Sequence, residues 1–397
     1  MRNRKIFLAR MNSMIVIVVL FASCAITSCQ VLEDCRTNAF PPKENIAIEE
    51  FVVNLDLPPQ ERWTHIVMKK KDGIKKFVDY FRGMMPSFLF NTLTNFLEKG
   101  IKKFPKPYGD EIIGIAKAVD MPLAHILACN IFYELEKVCT SIIAEDEKGH
   151  VYHGRNLDLG ALLGWDPKGD TWQIAEFLRP LTIAVDYQSG GKTVFKTVQF
   201  AGTVGVFTGI APERFSFSLN SRSPDTFFGG PMGVVHWVLS GSTEQQFASI
   251  LARSVLENAE SYDDAVKRLS ESRLLAPVYY IVAGTEKHQG TIITRSKTQS
   301  IKPLRLSDKQ NFLVQTNYDN WKKPPFYDNR RKPANICLKQ MTNKNSTKKL
   351  NFFEMLYNVL STVPVLNKAT IYTTLMDPST GEIQSFRRDC TGDCYPW

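Results

Sequence analysis

The sequence predicts an α+β layered domain, and three observations point to it. Helical periodicity runs through residues 59–138, strand-like runs take over after residue 139, and helical stretches return between those runs. The 397 residues suffice for one large domain or two ordinary ones, and a 44% hydrophobic fraction is enough to fill a sizeable core.

In chain order, residues 1–28 read as a secretory signal peptide. Arg2, Arg4, Lys5 and Arg10 precede an apolar run over 14–21 and the small residues Ala22, Ser23, Cys24 and Ala25, with cleavage expected between Ala25 and Cys29. That run is shorter than the roughly 20 apolar residues a spanning helix needs, although an uncleaved anchor is the alternative. No later segment reads as transmembrane. Removing those four cations from the net charge of +9 leaves +5. Such a balance suits approach to an anionic membrane surface. No basic stripe interleaved with aromatics is present, so nucleic acid is not an expected partner.

Residues 29–138 form the helical N-terminal part. Apolar residues recur at three- and four-residue intervals over 69–81, 86–99 and 122–135, with Pro105 and Pro107 as punctuation. Phe77, Tyr80 and Phe81 alternate with Lys75, Lys76 and Arg82, which reads as a half-buried helix with a solvated face rather than a dedicated membrane helix.

At residue 139 the pattern changes. Cys139-Thr140-Ser141-Ile142 opens a β-branched run, Glu147-Lys148-Gly149 marks a turn, and Val151-Tyr152-His153 leads back to Arg155 and Asp158. The resulting hairpin brings a thiol, a guanidinium and a carboxylate to one end. On spacing alone two readings stand: a nucleophile with a cation favouring thiolate, or a buried core cysteine beside an ordinary Arg-Asp pair.

Further strands are expected over 181–187, 193–200, 215–219, 278–282, 291–294 and 312–316, with Ser189-Gly190-Gly191 as a hairpin turn. Helices are expected over 232–239, 245–256 and 262–269, and no internal repeat is visible. Phe227 and Phe228 either line a channel or fill core. The lysine-rich segment 343–349 reads as a solvated loop carrying a glycosylation sequon at Asn345.

Cysteine usage fits an oxidising compartment. Cys390 and Cys394 are close enough for a local disulfide, and Cys129 sits in an apolar run as a buried thiol. His65, His125, His236 and His288 are scattered, so neither a metal nor a cofactor is expected. His150 and His153 raise a cysteine–histidine mechanism, but both lie at or beside the hairpin turn, away from the cysteine end.

Several motifs, in order, resemble the acid ceramidase family, which shares its catalytic pattern with N-acylethanolamine acid amidase. They are Asn130-Ile131-Phe132-Tyr133-Glu134-Leu135, Cys139-Thr140-Ser141-Ile142, His153-Gly154-Arg155-Asn156, Gln315-Thr316-Asn317-Tyr318-Asp319, Asp328-Asn329-Arg330-Arg331 and Pro364-Val365-Leu366-Asn367-Lys368. The resemblance implies an αββα sandwich of the N-terminal nucleophile hydrolase kind with a helical N-terminal chain. It implies self-cleavage between Val138 and Cys139, giving chains of residues 29–138 and 139–397 held by a Cys35–Cys337 disulfide. Arg155 and Asp158 would surround the thiol and the new amine, Asn317 would stabilise an oxyanion, and Arg330 would anchor the cluster.

The implied activity is lysosomal hydrolysis of ceramide, with possible secretion and a lipid-presenting activator as partner. The same chemistry on N-acylethanolamines is the alternative. One departure stands out: where the family commonly reads Asn-Glu-Arg-Phe, this chain has Asn220-Ser221-Arg222-Ser223. Loss of that carboxylate leaves a catalytically silent lipid-binding relative as a third reading.

Overall fold

In a computed structural model the described residues are 35–42, 46–83, 86–98, 100–101, 104–135, 138–159, 164–222, 245–325, 328–342, 351–392 and 394–396. The signal peptide, the 232–239 helix, Phe227, Phe228, Ser223, Asn345 and its lysine-rich segment lie outside them.

The hairpin forms where the sequence places it. Strand β2 (Val138–Glu145) pairs antiparallel with β3 (Val151–Asp158), with Cys139 opposite Leu157 and Ile143 opposite His153. Its turn is closed by Asp146, whose Oδ1 accepts the main-chain N–H of Lys148 at 2.8 Å and of His150 at 2.9 Å. Gly149 takes φ +85°, the left-handed conformation that glycine adopts without a Cβ penalty.

This hairpin is the centre of a five-stranded antiparallel sheet, and a second, eight-stranded sheet lies across from it. The remaining strands are β1 (Glu49–Asn54), a short ribbon of β4 (Trp165–Asp166) and β5 (Thr171–Trp172), β6 (Thr182–Ser189), β7 (Lys192–Phe200), β8 (Thr208–Ala211) and β9 (Phe215–Ser221). Then come β10 (Val278–Gly284), β11 (Gly290–Arg295), β12 (Ser300–Arg305), β13 (Phe312–Gln315), β14 (Thr370–Asp377) and β15 (Glu382–Arg387). The small sheet runs β13-β2-β3-β14-β15, and the large one β1-β6-β7-β8-β9-β10-β11-β12. Gly190 and Gly191 close the β6–β7 hairpin at φ +57° and +73°, as expected for a two-residue turn between Ser189 and Lys192.

Side-chain alternation along β2 explains the layers. Ile142 and Ala144 pack with Leu338, Leu356 and Leu360 from outer helices, whereas Ile143 packs with Tyr279 and Ile281 of the large sheet. Both faces of the small sheet are therefore covered, one by helices Arg331–Met341 and Phe352–Leu360 and the other by the second sheet. Helices Ala248–Asn258 and Tyr262–Glu271 cover the large sheet. The resulting order is helix, sheet, sheet, helix.

The structure corrects several expectations. The N-terminal part is not purely helical: β1 joins the edge of the large sheet parallel to β6. Its burial alternates weakly because one face stays in solvent, so the sequence lacks a strong strand pattern. A helix at Tyr108–Val119 follows Pro107 directly, where the proline opens the helix rather than breaking the segment. Gly154 lies inside β3, where an added Cβ would come 3.0 Å from Leu360, so the glycine admits close approach of the outer helix. Among the described residues no helix is long and apolar enough to cross a membrane.

Candidate active site

Cys139 is fully buried at the start of β2, facing the large sheet. Two positions along the neighbouring strand from its partner Leu157, Arg155 projects to the same face, and its Nη2 donates to Cys139 Sγ at 2.7 Å. Arg155 also donates to the Phe207 carbonyl at 2.7 Å, to Thr208 Oγ1 at 2.7 Å and to the Leu219 carbonyl at 3.2 Å. Among the described residues none of its hydrogen-bond partners is a carboxylate. Arg155 is fully buried, and among the described residues Cys139 is its one hydrogen-bond partner with an ionisable side chain. Cys129, the other free cysteine, is the contrast: burial without a cation pushes its thiol up to about 12.

Asp158 sits on the opposite face of β3, in register with Val138. It does not touch the thiol. Its Oδ2 accepts Arg330 Nη1 at 2.8 Å and Asn367 Nδ2 at 3.3 Å, while its Oδ1 is buried without a hydrogen-bond partner. Burial pushes the Asp158 carboxyl above its ordinary range despite the pull of Arg330.

Asn317 joins the two halves. Strand β13 ends at Gln315, paired with Ser141, and beyond it the Asn317 side chain reaches the next main-chain donor of β2. Its Oδ1 accepts the Cys139 N–H at 2.6 Å and Arg330 Nη2 at 2.9 Å, and its Nδ2 donates to the Ser221 carbonyl at 2.8 Å. Arg330 in turn donates through Nε to Asp328 at 2.9 Å. Asp328 is buried, yet Arg330 beside it holds its carboxyl below the usual range. Arg330 thus ties Asp158, Asp328 and Asn317 into one rigid cluster at the cysteine end of the hairpin.

The sequence-level residues Cys139, Arg155, Asp158, Asn317 and Arg330 therefore converge, from segments up to 191 positions apart. The histidines do not. His153 lies between the sheets, its ring nitrogens within 3.1 Å of Ser216 Oγ and 2.8 Å of Ser218 Oγ. Burial pushes it down to about 3, so it is neutral and spent on packing. His150 pairs with Asp377 at 2.9 Å at the far end of the hairpin. Among the described residues no group of His, Cys, Asp and Glu has metal-site geometry.

Sequence reasoning assigned no role to Asp328 and Asn367, although each lies within a motif already singled out. It also missed the polar chain across the sheets: Ser218 Oγ donates to Ser141 Oγ at 2.8 Å, and Ser141 Oγ donates to Asn220 Oδ1 at 2.9 Å. Serines alternating with Phe215, Phe217 and Leu219 read as an ordinary half-polar strand. Ser221 contributes its main-chain carbonyl to Asn317, a contact independent of its side chain. Disulfides join Cys35 to Cys337 and Cys390 to Cys394.

The chain is similar to several known proteins. A family model described as the beta subunit of N-acylethanolamine-hydrolyzing acid amidase matches residues 46–120. A second, linear amide C-N hydrolases of the choloylglycine hydrolase family, matches residues 139–332 and begins at the cysteine. Acid ceramidase of Homo sapiens is 42% identical over 375 residues, covering 92% of this chain and 93% of that protein. Acid ceramidase of Macaca fascicularis is 40% identical over 402 residues, covering 98% and 100%. The solved Caenorhabditis elegans N-acylethanolamine-hydrolyzing acid amidase ortholog is 32% identical, covering 63% of this chain and all of that one, with a TM-score of 0.52. The two-sheet fold is accordingly that of the N-terminal nucleophile hydrolases. On this similarity, spanning nearly its whole length, the chain belongs to the acid ceramidase family.

Proposed function

We propose that this protein cleaves the N-acyl amide of ceramide to sphingosine and a fatty acid, with Cys139 as nucleophile. The observation that carries the reading is the double hold on Cys139: Arg155 on its sulfur at 2.7 Å and Asn317 on its nitrogen at 2.6 Å. Sulfur and nitrogen of one residue are thereby positioned separately, as a combined nucleophile and proton shuttle requires.

The first reaction is on the chain itself. Cys139 sulfur attacks the Val138 carbonyl carbon, the peptide C–N bond breaks, and a thioester forms as the nitrogen takes up a proton. Water then hydrolyses the thioester, freeing the thiol and a Val138 carboxylate. The new α-amine has an ordinary pKa of about 7.7–8.0 and stays beside Asn317 and Asp158. It accepts the thiol proton, and the thiolate attacks the substrate amide. Return of that proton to the leaving sphingosine nitrogen yields an acyl thioester, which water hydrolyses. Arg155 favours thiolate throughout. Asn317 is proposed to donate from Nδ2 to the oxyanion, and Arg330 positions Asn317 and Asp158.

Cleavage divides the protein into residues 29–138 and 139–397, bridged by Cys35–Cys337. The compartment we assign is the lysosomal lumen, with secretion as a second destination and a lipid-presenting activator as a further partner. Asn345 is the proposed glycan site.

N-acylethanolamine hydrolysis is the second reading, favoured by the match over residues 46–120 and by the nematode structure. The deciding measurement is relative kcat/KM on ceramide and on N-palmitoylethanolamine. A preference for ceramide supports the first reading. A preference for the ethanolamide replaces it, and no turnover of either by cleaved protein supports the silent relative.

A further inference from the structure

Strand β9 ends beside the active site, and one of its faces reaches across to the small sheet at every second residue. Ser218 Oγ donates to Ser141 Oγ at 2.8 Å, and Asn220 Nδ2 donates to the Gln315 carbonyl at 2.9 Å. Arg222, just past the strand, donates to the Asp319 carboxylate. The last two contacts bracket Asn317, gripping the chain two residues before it and two residues after it. Between those grips Asn317 Nδ2 donates to the Ser221 carbonyl. Three successive residues of one chain segment therefore hold the segment that presents the Asn317 amide.

The Arg222 grip is the strongest of the three. Its Nε donates to Asp319 Oδ1 at 2.7 Å and its Nη2 to Oδ2 at 3.0 Å, a two-point fork onto one buried carboxylate. Tyr279, on the neighbouring strand β10, donates its hydroxyl to the same Oδ1 at 2.6 Å, and Lys322 lies 3.4 Å from Oδ2 on the solvent side. Burial acts upward on the Asp319 carboxyl, but the hydrogen bonds from Arg222 and Tyr279 hold it at about 2, so the fork stays ionised in acid. Only Tyr318 separates Asp319 from Asn317, and it gives little slack. Its carbonyl accepts Gln315 Nε2 at 3.0 Å, and its ring lies under the Arg331 guanidinium at 3.7 Å. A displaced Asp319 would carry Asn317 with it.

We propose that Arg222 and Asp319 are positioning residues of the reaction, whose fork sets the Asn317 amide against the Cys139 nitrogen and the oxyanion. The inference rests on the reading of Asn317 as an oxyanion donor.

The test follows conversion of the full chain to its two cleaved chains, and then steady-state turnover of ceramide in detergent micelles by the cleaved protein. Arg222→Lys keeps the charge and loses the fork, so cleavage rate and kcat should each fall about tenfold while KM stays within about twofold of wild type. Arg222→Ala should lose more, and guanidinium chloride, compared with equal sodium chloride, should restore part of its kcat, which a packing defect would not allow. Tyr279→Phe removes one hydrogen bond and no charge, and should lower kcat about threefold at unchanged KM. Wild-type kcat in Arg222→Lys overturns the proposal, as does wild-type kcat in Tyr279→Phe where the arginine variants do not fold. A loss in Arg222→Ala that guanidinium leaves unchanged also overturns it. Self-cleavage needs no added substrate, so slowed cleavage in Arg222→Lys upholds the inference even where wild-type protein turns over no ceramide, a result that removes the ceramide reading alone. Ceramide turnover by wild type and Arg222→Lys alike removes the inference alone.

Discussion

The amide oxygen of Asn317 accepts two donors at once, the main-chain N–H of Cys139 at 2.6 Å and Nη2 of Arg330 at 2.9 Å. The nitrogen on one side of the proposed scissile bond is therefore fixed by a side chain from the segment after β13, and that side chain is fixed by a buried arginine. Asn317→Ala should consequently impair both cleavage of the chain and turnover of substrate. Loss of one oxyanion donor costs roughly 100- to 1,000-fold in kcat. Steady-state kinetics on protein already cleaved separates the two effects, and wild-type turnover there would remove Asn317 from the oxyanion site.

Cys139→Ala should yield a single uncleaved chain without activity, whereas Cys129→Ala should cleave and turn over normally. N-terminal sequencing of the larger chain should begin at Cys139. A different start, or an active uncleaved protein, contradicts the proposed processing.

Arg155→Lys keeps a charge but loses the planar fork that reaches Cys139, Phe207, Thr208 and Leu219 together. With a charged hydrogen bond worth about 1.5–3 kcal/mol, kcat/KM should fall roughly 10- to 100-fold. The rate of Cys139 alkylation at one fixed pH should also change in the variant, because the sulfur loses the guanidinium that holds it. An unchanged alkylation rate would assign Arg155 to packing alone.

The Cys35–Cys337 bridge crosses the proposed cut, so cleaved chains should separate on denaturing gels only after reduction. Replacing either cysteine should lower stability by roughly 2–5 kcal/mol. Under native conditions the reduced chains should still migrate together. Arg253, buried on the C-terminal side, makes a two-point ion pair with Glu111 on the N-terminal side, and Trp63 Nε1 donates to the same carboxylate at 2.7 Å. Size-exclusion chromatography with reductant checks this, and Arg253→Met should release the chains.

Acid stability has a definite sign at Asp319. Burial acts upward on this carboxyl, but hydrogen bonds from Arg222 and Tyr279 prevail and bring it from 3.8 to about 2. A carboxyl held low in the folded state contributes stability above its ordinary value and loses it as pH falls towards the folded value. The wild-type Tm should therefore drop between pH 3.8 and 2. Asp319→Asn should start lower and show a flatter slope in that window, measured by thermal melts across pH.

The sequence by itself determined the local elements and their order. The β2–β3 hairpin, the Ser189-Gly190-Gly191 turn and the helices near residues 74, 92 and 129 follow from periodicity and turn chemistry, which act over a few residues. Motif resemblance named Cys139, Arg155, Asp158, Asn317 and Arg330, whose spacing alone does not distinguish a site from ordinary surface charge. Only the tertiary structure decided their geometry. Alternation along β3 sends Arg155 to the thiol and Asp158 to the other face, and which face is which depends on the sheet that packs against it. Likewise β14, between β3 and β15 in the small sheet, and the serines that take up His153 are specified by contacts with distant partners rather than by their own pattern. Burial and pairing across the two sheets turn a cysteine, two arginines and an asparagine into one cluster, because the hydrogen-bond partners that hold each of them come from distant parts of the chain.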